Sequence, residues 1–407
     1  MLMAFSIFEG CSEATSSNWK GPSPVSRNIS GFIGLWTNYN GTIYGGWGWP
    51  AGAPLQTSFN FGINGVVSVA NLDGYSFQTN LVNNCTIWNT NQVYGILEPP
   101  AGHDAAVNQP ADTVLLQPLA QTPGMIQGAH RFSDLSKTYA QIAGIIIDDF
   151  GGSYRSTVTS VQLKHVRDAL HGKLVDASGN IVAGSPVISP DLKLYVVYYE
   201  SYPLKYRELD TLIDGIVLFI DNDQDANYIY LEQYIATFNQ DYPGKNIILG
   251  VDISTERNPA SIRRLLESSI ELYNRGELDG VMLFWGWFLV RQGISQSRWD
   301  SLAIPPLLDS LYYPYLGEVT ETVVDAKTGR PIADAMITVN RITGTKTQLV
   351  TRRITSSIGQ FSFGGWASNN GSLYQVEVAK PPYQPNKFEV KLQPGVRVLL
   401  PDVMMTQ

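Results

Sequence analysis

The sequence predicts an α/β chain in which eight parallel strands and their helices form a (β/α)8 barrel, followed by an all-β sandwich. Three observations predict it. Between about residues 112 and 300, strand-like and helix-like segments alternate at spacings suited to βα units. Within that region Ile145-Ile146-Ile147 shows no alternation of polarity, so both faces of its strand are expected to be buried, as in a parallel sheet. From Gly317 onward the helical periodicity ends, and short alternating strands broken by Thr-Gly and Ile-Gly turns take over.

The elements follow in order. Residues 1 to about 110 are irregular, with strand-like pieces at Phe5–Phe8, Gly31–Trp36, Gly65–Ala70 and Val93–Leu97 between Gly/Asn/Pro/Trp loops. Thr113–Leu116 reads as a strand. Ser133 caps a helix that runs to Ile142. Then come the Ile145–Ile147 strand, a Val158–Leu170 helix, a Leu194–Tyr199 strand and a short Tyr206–Ile213 helix. Gly215–Ile220 is a strand, Tyr228–Phe238 a helix, Asn246–Val251 a strand, Pro259–Arg275 a long amphipathic helix and Gly280–Trp285 a strand. Six strands in this region and two from the first 110 residues make eight, and right-handed crossovers make the sheet parallel. An open doubly wound sheet is the alternative, but no Gly-rich phosphate fingerprint follows any strand. The pattern changes near Pro305-Pro306, so a TIM-type barrel is expected over residues 1–312, its N-terminal half heavily decorated, and the sandwich over 317–407.

Composition narrows the class. At 44% hydrophobic residues the 407-residue chain can bury a large core. Only 16% of residues are charged, below the typical figure of about 25%, and Gly, Asn, Ser, Thr and Tyr fill the difference. A net charge of −8 without any Lys/Arg cluster argues against nucleic acid and anionic membrane as partners. No apolar run approaches the roughly 20 residues a bilayer requires, so no membrane insertion is expected. Low charge with many Tyr and Trp suits a protein that handles neutral polymers. Met1–Phe8 has no basic and no long apolar region and does not read as a signal peptide, leaving either a cytoplasmic chain or one whose leader has been removed. Of the two cysteines, Cys11 and Cys85, both a disulfide and two free thiols stay open.

The C-terminal region carries a specific pattern. Val323, Asp325, Thr328, Gly329, Pro331, Ile332, Ala335, Ile337 and Val339 fall in the order V-x-D-x-x-T-G-x-P-I-x-x-A-x-I-x-V. Gly359, Phe361 and Phe363 follow as G-x-F-x-F, and Tyr374 to Tyr383 as Y-x-V-x-V-x-K-P-x-Y. This stretch, less than a quarter of the chain, resembles the carboxypeptidase-regulatory-like (transthyretin-like) β-sandwich. The resemblance implies a non-catalytic companion of an exported enzyme, hence a secreted or cell-surface protein.

The proposed strand ends supply the candidate chemistry. They are Asp148 and Asp149 on strand four, Tyr199 and Glu200 on strand five, Asp221 on strand six, Asp252 on strand seven, and Trp285 and Trp287 after strand eight. Barrels place their chemistry at this edge of the sheet. Carboxyls ringed by aromatics are what glycoside hydrolysis needs: one protonates the leaving oxygen, and a partner stabilises or attacks the oxocarbenium-like centre. Asp148, Asp149, Glu200 and Asp221 are the expected catalytic set, and Tyr199, Trp285, Trp287, Trp47 and Asp252 the expected substrate-binding set. Two adjacent carboxylates also resist ionising together. Side chains alternate along a strand, so one of Asp148 and Asp149 should face the axis, while Gly151 and Gly152 allow a turn that brings in both.

The segment around Asp148 resembles the strand-four signature of barrel glycosidases, the nearest analogue being the Asp-Asp pair of O-GlcNAcase-type hexosaminidases. That resemblance implies attack by the substrate's own 2-acetamido group, one Asp orienting it and the next acting as acid/base. Direct displacement fits equally, with Glu200 or Asp221 as the second carboxyl. In barrel families whose nucleophile is a strand-four Asp, the acid/base often lies on strand six, where Asp221 stands.

A rival use of the same acids is a Ca²⁺ loop, because Asp221, Asp223, Asp225 and Glu232 occupy positions 1, 3, 5 and 12 of such a loop. Position 6 is Ala226 instead of Gly, and a strand precedes the loop; a solvated helix N-terminus is the plainer reading. No other cofactor is expected. His103, His130, His165 and His171 are scattered, and no Gly-x-Ser-x-Gly elbow is present. The loop Trp36–Pro50 is either a substrate-binding lip or a packed cover, and Glu98 and Gln117 rank lower as pocket residues. The primary expectation is a glycosidase acting on an oligo- or polysaccharide. The alternative is a non-catalytic carbohydrate-binding or surface/virion structural protein on a similar barrel. The sequence leaves oligomeric state open.

Overall fold

The computed structural model describes residues 33–37, 66–69, 92–97, 125–140, 142–147, 150, 160–176, 180–189, 191–199, 211–220, 230–253, 258–284, 316–367 and 370–407. Eight strands form one curled parallel sheet: β1 (Ile33–Thr37), β2 (Val66–Val69), β3 (Gln92–Leu97), β4 (Ile142–Ile147), β5 (Lys193–Tyr199), β6 (Gly215–Phe219), β7 (Asn246–Asp252) and β8 (Gly280–Phe284). Each pairs with the next in chain order, and β1 also pairs with β8 from Ile33–Val281 to Trp36–Phe284. The first 110 residues thus contribute three strands, not the two expected. Phe5–Phe8, Thr113–Leu116 and residues 206–210 of the expected short helix lie outside the described residues, and Thr211-Leu212 is a turn.

Burial on both faces explains the apolar runs. Along β5, Leu194, Val196 and Tyr198 pack outward into the main core, whereas Tyr195 and Val197 belong to an interior cluster with Tyr199 packed against it. On β6, Ile216 and Leu218 face out, Val217 and Phe219 in. β4 carries one extra residue opposite β3, because Val93 pairs with Ile142 but Tyr94 pairs with Gly144. Ala143 and Ile146 are therefore both interior, while Ile142, Ile145 and Ile147 are exterior. Gly144 sits at that bulge with φ 156°, and a Cβ there would lie 1.9 Å from the Lys193 carbonyl oxygen. Only glycine fits.

Four helices cover the outer face among the described residues: α1 (Met125–Ser136), α2 (Ser160–Leu170), α3 (Leu231–Asp241) and α4 (Pro259–Arg275). None is long and apolar enough to cross a membrane. α4 follows the sequence reading to the residue. Asn258 Oδ1 accepts from the Ala260 N–H, Pro259 opens the first turn, and Gly276 at φ 77° ends it. α1 corrects the reading, since it starts at Met125 and not at Ser133. Its buried stripe is Met125, Ile126, Ala129, Phe132, Ser133 and Ser136, and the Ser136 hydroxyl donates to the Ser133 carbonyl. Small serines on the inner face disguised a helical period that their packing completes.

Two strand starts share one device. Asp214 and Asp279 each precede a glycine that opens a strand, in Asp214-Gly215-Ile216 and Asp279-Gly280-Val281. The Asp214 N–H donates to the Leu194 carbonyl (2.8 Å) and its carboxylate accepts from the Leu194 N–H (2.9 Å). Asp279 does the same with Ile247, at 2.8 Å both ways. Each pair adds a rung to the sheet's N-terminal end and satisfies a backbone donor that would otherwise be orphaned.

The C-terminal region forms two antiparallel-based sheets. One has the order β11-β10-β13-β14, from β10 (Met336–Thr343), β11 (Lys346–Ile354), β13 (Ser372–Ala379) and β14 (Asn386–Leu392). The other joins β12 (Gln360–Trp366), β9 (Leu316–Asp325) and β15 (Arg397–Leu399), with β16 (Val403–Met405) also paired to β9. The motif residues hold it together. Asp325 Oδ1 accepts from the Lys327 N–H, the Thr328 N–H and the Thr328 hydroxyl, and Oδ2 accepts from the Tyr383 hydroxyl at 2.9 Å. Led by the Thr328 N–H, these donors hold the Asp325 carboxyl below its usual range. Val323, Ile332, Ala335, Ile337, Val339, Phe361, Phe363, Tyr374, Val376 and Val378 form the shared core.

One core carboxyl is poorly solvated. Glu321 is 3% exposed, and its Oε2 has no hydrogen-bond partner among the described residues. Burial, with the Asp402 carboxylate adding to it, pushes its pKa from 4.5 up to about 7. A raised folded-state pKa means that the folded chain holds the proton longer. The associated stability is present below pH 4.5 and is lost as pH rises toward 7. Melting temperature followed across that interval should therefore fall in the native chain relative to Glu321→Gln; parallel curves would contradict this.

Candidate active site

The C-terminal ends of the strands define the mouth. Inside the curled sheet, Tyr199 on β5 and Phe219 on β6 are paired in register, their ring centroids 6.1 Å apart at 32°. Phe219 is in turn in register with Gly250 on β7. A Cβ on Gly250 would lie 2.4 Å from the Phe219 ring, so the missing side chain is what lets the ring lie across the interior. Phe219 is buried and Tyr199 half-buried. The two rings form the described part of a floor.

Asp252 stands at the end of β7, two residues beyond Gly250 and in register with Phe284. Ile248 packs inside and Leu249 and Val251 outside, so Asp252 shares the inward parity of Gly250. Two residues of strand advance about 7 Å. The half-buried carboxylate is thus carried one step above the aromatic floor, toward the mouth. Beneath the floor Tyr94 and Tyr195 fill the interior, edge-on at 5.3 Å, with Asn246 Nδ2 donating to the Tyr195 hydroxyl at 3.0 Å. Burial pushes both phenols up, keeping them neutral.

Of the expected site residues, Tyr199 and Asp252 fall among the described residues, Tyr199 packed against the interior cluster and Asp252 at the end of β7 with the same inward parity. Asp148, Asp149, Glu200, Asp221, Trp285, Trp287 and Trp47 lie outside the described residues, as do Asp223 and Asp225 of the Ca²⁺ loop and both cysteines. Glu232, the loop's twelfth position, opens α3 and forms an ion pair with Arg275 at 2.9 Å. No group of three or more His, Cys, Asp or Glu gathers among the described residues. His171 lies one residue past α2, its Nε2 3.1 Å from the Leu192 carbonyl, and burial lowers its pKa. His130 pairs with Asp134 on α1. Phe219 and Gly250 escaped the sequence reading, although a glycine inside Ile247-Ile248-Leu249-Gly250-Val251 was the available signal of a close approach.

No protein-family model matches the chain, and no curated protein sequence does. Among solved structures, a chitinase from Chromobacterium violaceum aligns over 68% of this chain and 99% of its own, at 12% identity and a TM-score of 0.42. A catechol 1,2-dioxygenase variant from Acinetobacter radioresistens aligns over 23% of this chain and 52% of its own, at 10% identity and a TM-score of 0.19. The C-terminal domain of a shaft pilin from Lactobacillus rhamnosus GG aligns over 22% of this chain and 97% of its own, at 14% identity and a TM-score of 0.18. The chain thus spans about half the length of the dioxygenase it matches.

The floor makes a direct prediction. Phe219→Ala should destabilise the fold by about 3–5 kcal/mol in denaturant titration, because the ring is buried and Gly250 offers nothing to refill the space. A loss under about 1 kcal/mol would mean that the ring does not pack as described.

Proposed function

We propose that the protein is a glycoside hydrolase that cleaves glycosidic bonds in an oligo- or polysaccharide outside the cytoplasm, at the C-terminal mouth of a TIM-type (β/α)8 barrel. Eight strands in chain order and the β1–β8 pairing support the barrel. The observation that carries the function is the inward carboxylate Asp252 above the Tyr199–Phe219 floor, at the edge where barrels do chemistry.

The parity of neighbouring strands selects among the other acids. Ile146 on β4 and Phe219 on β6 are interior. Counted on by two positions in the sequence, these reach Asp148 and Asp221, which we therefore propose ahead of Asp149 and Glu200. In the resulting mechanism Asp221, as acid, protonates the glycosidic oxygen while the bond to the anomeric carbon breaks. Asp148 either attacks that carbon or orients a 2-acetamido group that does. Water then adds its hydroxyl to the anomeric carbon as that carbon's bond to the Asp148 carboxylate or to the acetamido oxygen breaks, and water's proton passes to the now basic Asp221 carboxylate. Asp252 accepts a hydrogen bond from a sugar hydroxyl. Tyr199, Trp285, Trp287 and Trp47 offer apolar faces to the C–H faces of the rings.

Asp148→Asn and Asp149→Asn, assayed on chromogenic glycosides and a polysaccharide panel, separate the pair. The acting aspartate should lose about 10²–10⁴-fold in kcat/KM, with Asp148 expected to be the more sensitive. Full turnover by both variants would overturn the assignment. Glycan binding by the native chain with no turnover would favour a carbohydrate-binding surface protein instead.

A further inference from the structure

The opposite end of the curled sheet is occupied by the chain itself. Leu349, on β11 of the sandwich, is 4% exposed and belongs to the interior cluster with Tyr94, Ala143, Tyr195, Ile248 and Met282. Around it, β10 and β11 bind the N-terminal strand ends and the C-terminal helix ends. Gln348 Nε2 donates to the Asp279 carbonyl, and Asn246 Nδ2 donates to the Thr347 carbonyl at 3.4 Å. Lys346 Nζ lies 2.6 Å from Asn239 Oδ1 and 3.6 Å from the buried Asp279 carboxylate. The Arg341 guanidinium lies 4.2 Å from the Tyr273 ring centroid and donates to the Tyr273 carbonyl at 3.4 Å. Arg352 donates to the Ile142 carbonyl at 3.3 Å.

The chemistry is complementary. The N-terminal face presents carbonyl oxygens and a buried carboxylate, and the β10–β11 hairpin brings Arg341, Lys346 and Arg352 to them. Cations at helix C-termini also meet the negative end of the helix dipole. A module tethered by a mobile linker would leave Leu349, Gln348 and Arg341 exposed, whereas all three are buried.

We infer that the sandwich plugs the N-terminal end of the barrel, docked through Leu349 and its cationic rim, and that sandwich and barrel unfold as one cooperative unit with the mouth facing away from the sandwich. The sandwich then supports activity by closing the interior and takes no part in contacting substrate.

Hydrogen exchange followed by mass spectrometry on the full chain tests this. Val376→Ala loosens the sandwich core at a residue remote from the sheet interior; the milder Ile337→Val replaces it if the first variant does not fold. Exchange in the β13 peptide should rise about tenfold or more, and the β5 and β7 peptides carrying the Leu194 and Ile247 amides should rise by the same factor. Acceleration confined to the sandwich would overturn the inference. Leu349→Ala supplies an independent arm, with accelerated β5 and β7 exchange expected; unchanged exchange there would contradict the docking.

Discussion

A curled sheet has two ends, and the side chain of Leu349 closes one of them. The interior near the N-terminal strand ends is lined by Tyr94, Ala143, Tyr195, Ile248 and Met282, an apolar surface that water would otherwise meet. Burying one leucine there contributes about 1.5–3 kcal/mol, and the surrounding hydrogen bonds fix which hairpin supplies it. With that end filled, the tyrosine pair and the Tyr199–Phe219 rings stack upward, and the carboxylate of Asp252 is left at the other. The N-terminal end of the sheet is thus packed, and the strand ends opposite carry the half-buried Asp252.

Much of this architecture was legible because parallel strands buried on both faces read as unbroken apolar runs. Ile145–Ile147, Gly215–Ile220 and Asn246–Val251 stand out as apolar runs in the sequence, and α4 ends at Gly276, just past its predicted last residue Arg275. The sandwich was legible in residues that hold turns, above all Asp325, whose carboxylate gathers four donors. The start of α1 is hidden in the sequence because serines sit on its buried face, and the three early strands are hard to count because the sequence flanking them has no period.

The candidate site was half legible. Strand-end acids can be found by aligning apolar runs, but which of two adjacent acids points inward depends on register. Here the bulge at Gly144 resets the parity of β4, and a bulge is decided by the partner strand. The docking of Leu349 had no local signal at all. Arg352 meets a carbonyl 210 residues earlier in the chain, and its own strand reads as an ordinary edge of a sandwich.

The proposed chemistry rests on acids of one parity converging at the mouth. Carboxyl-directed epoxyalkyl glycosides probe that convergence, since they esterify an acid seated at the reacting centre and peptide mapping identifies it. An ester on Asp148 or Asp221 that a competing glycan suppresses is the expected result. An ester found only on Glu200 or in the sandwich, or none that a glycan protects, would contradict it.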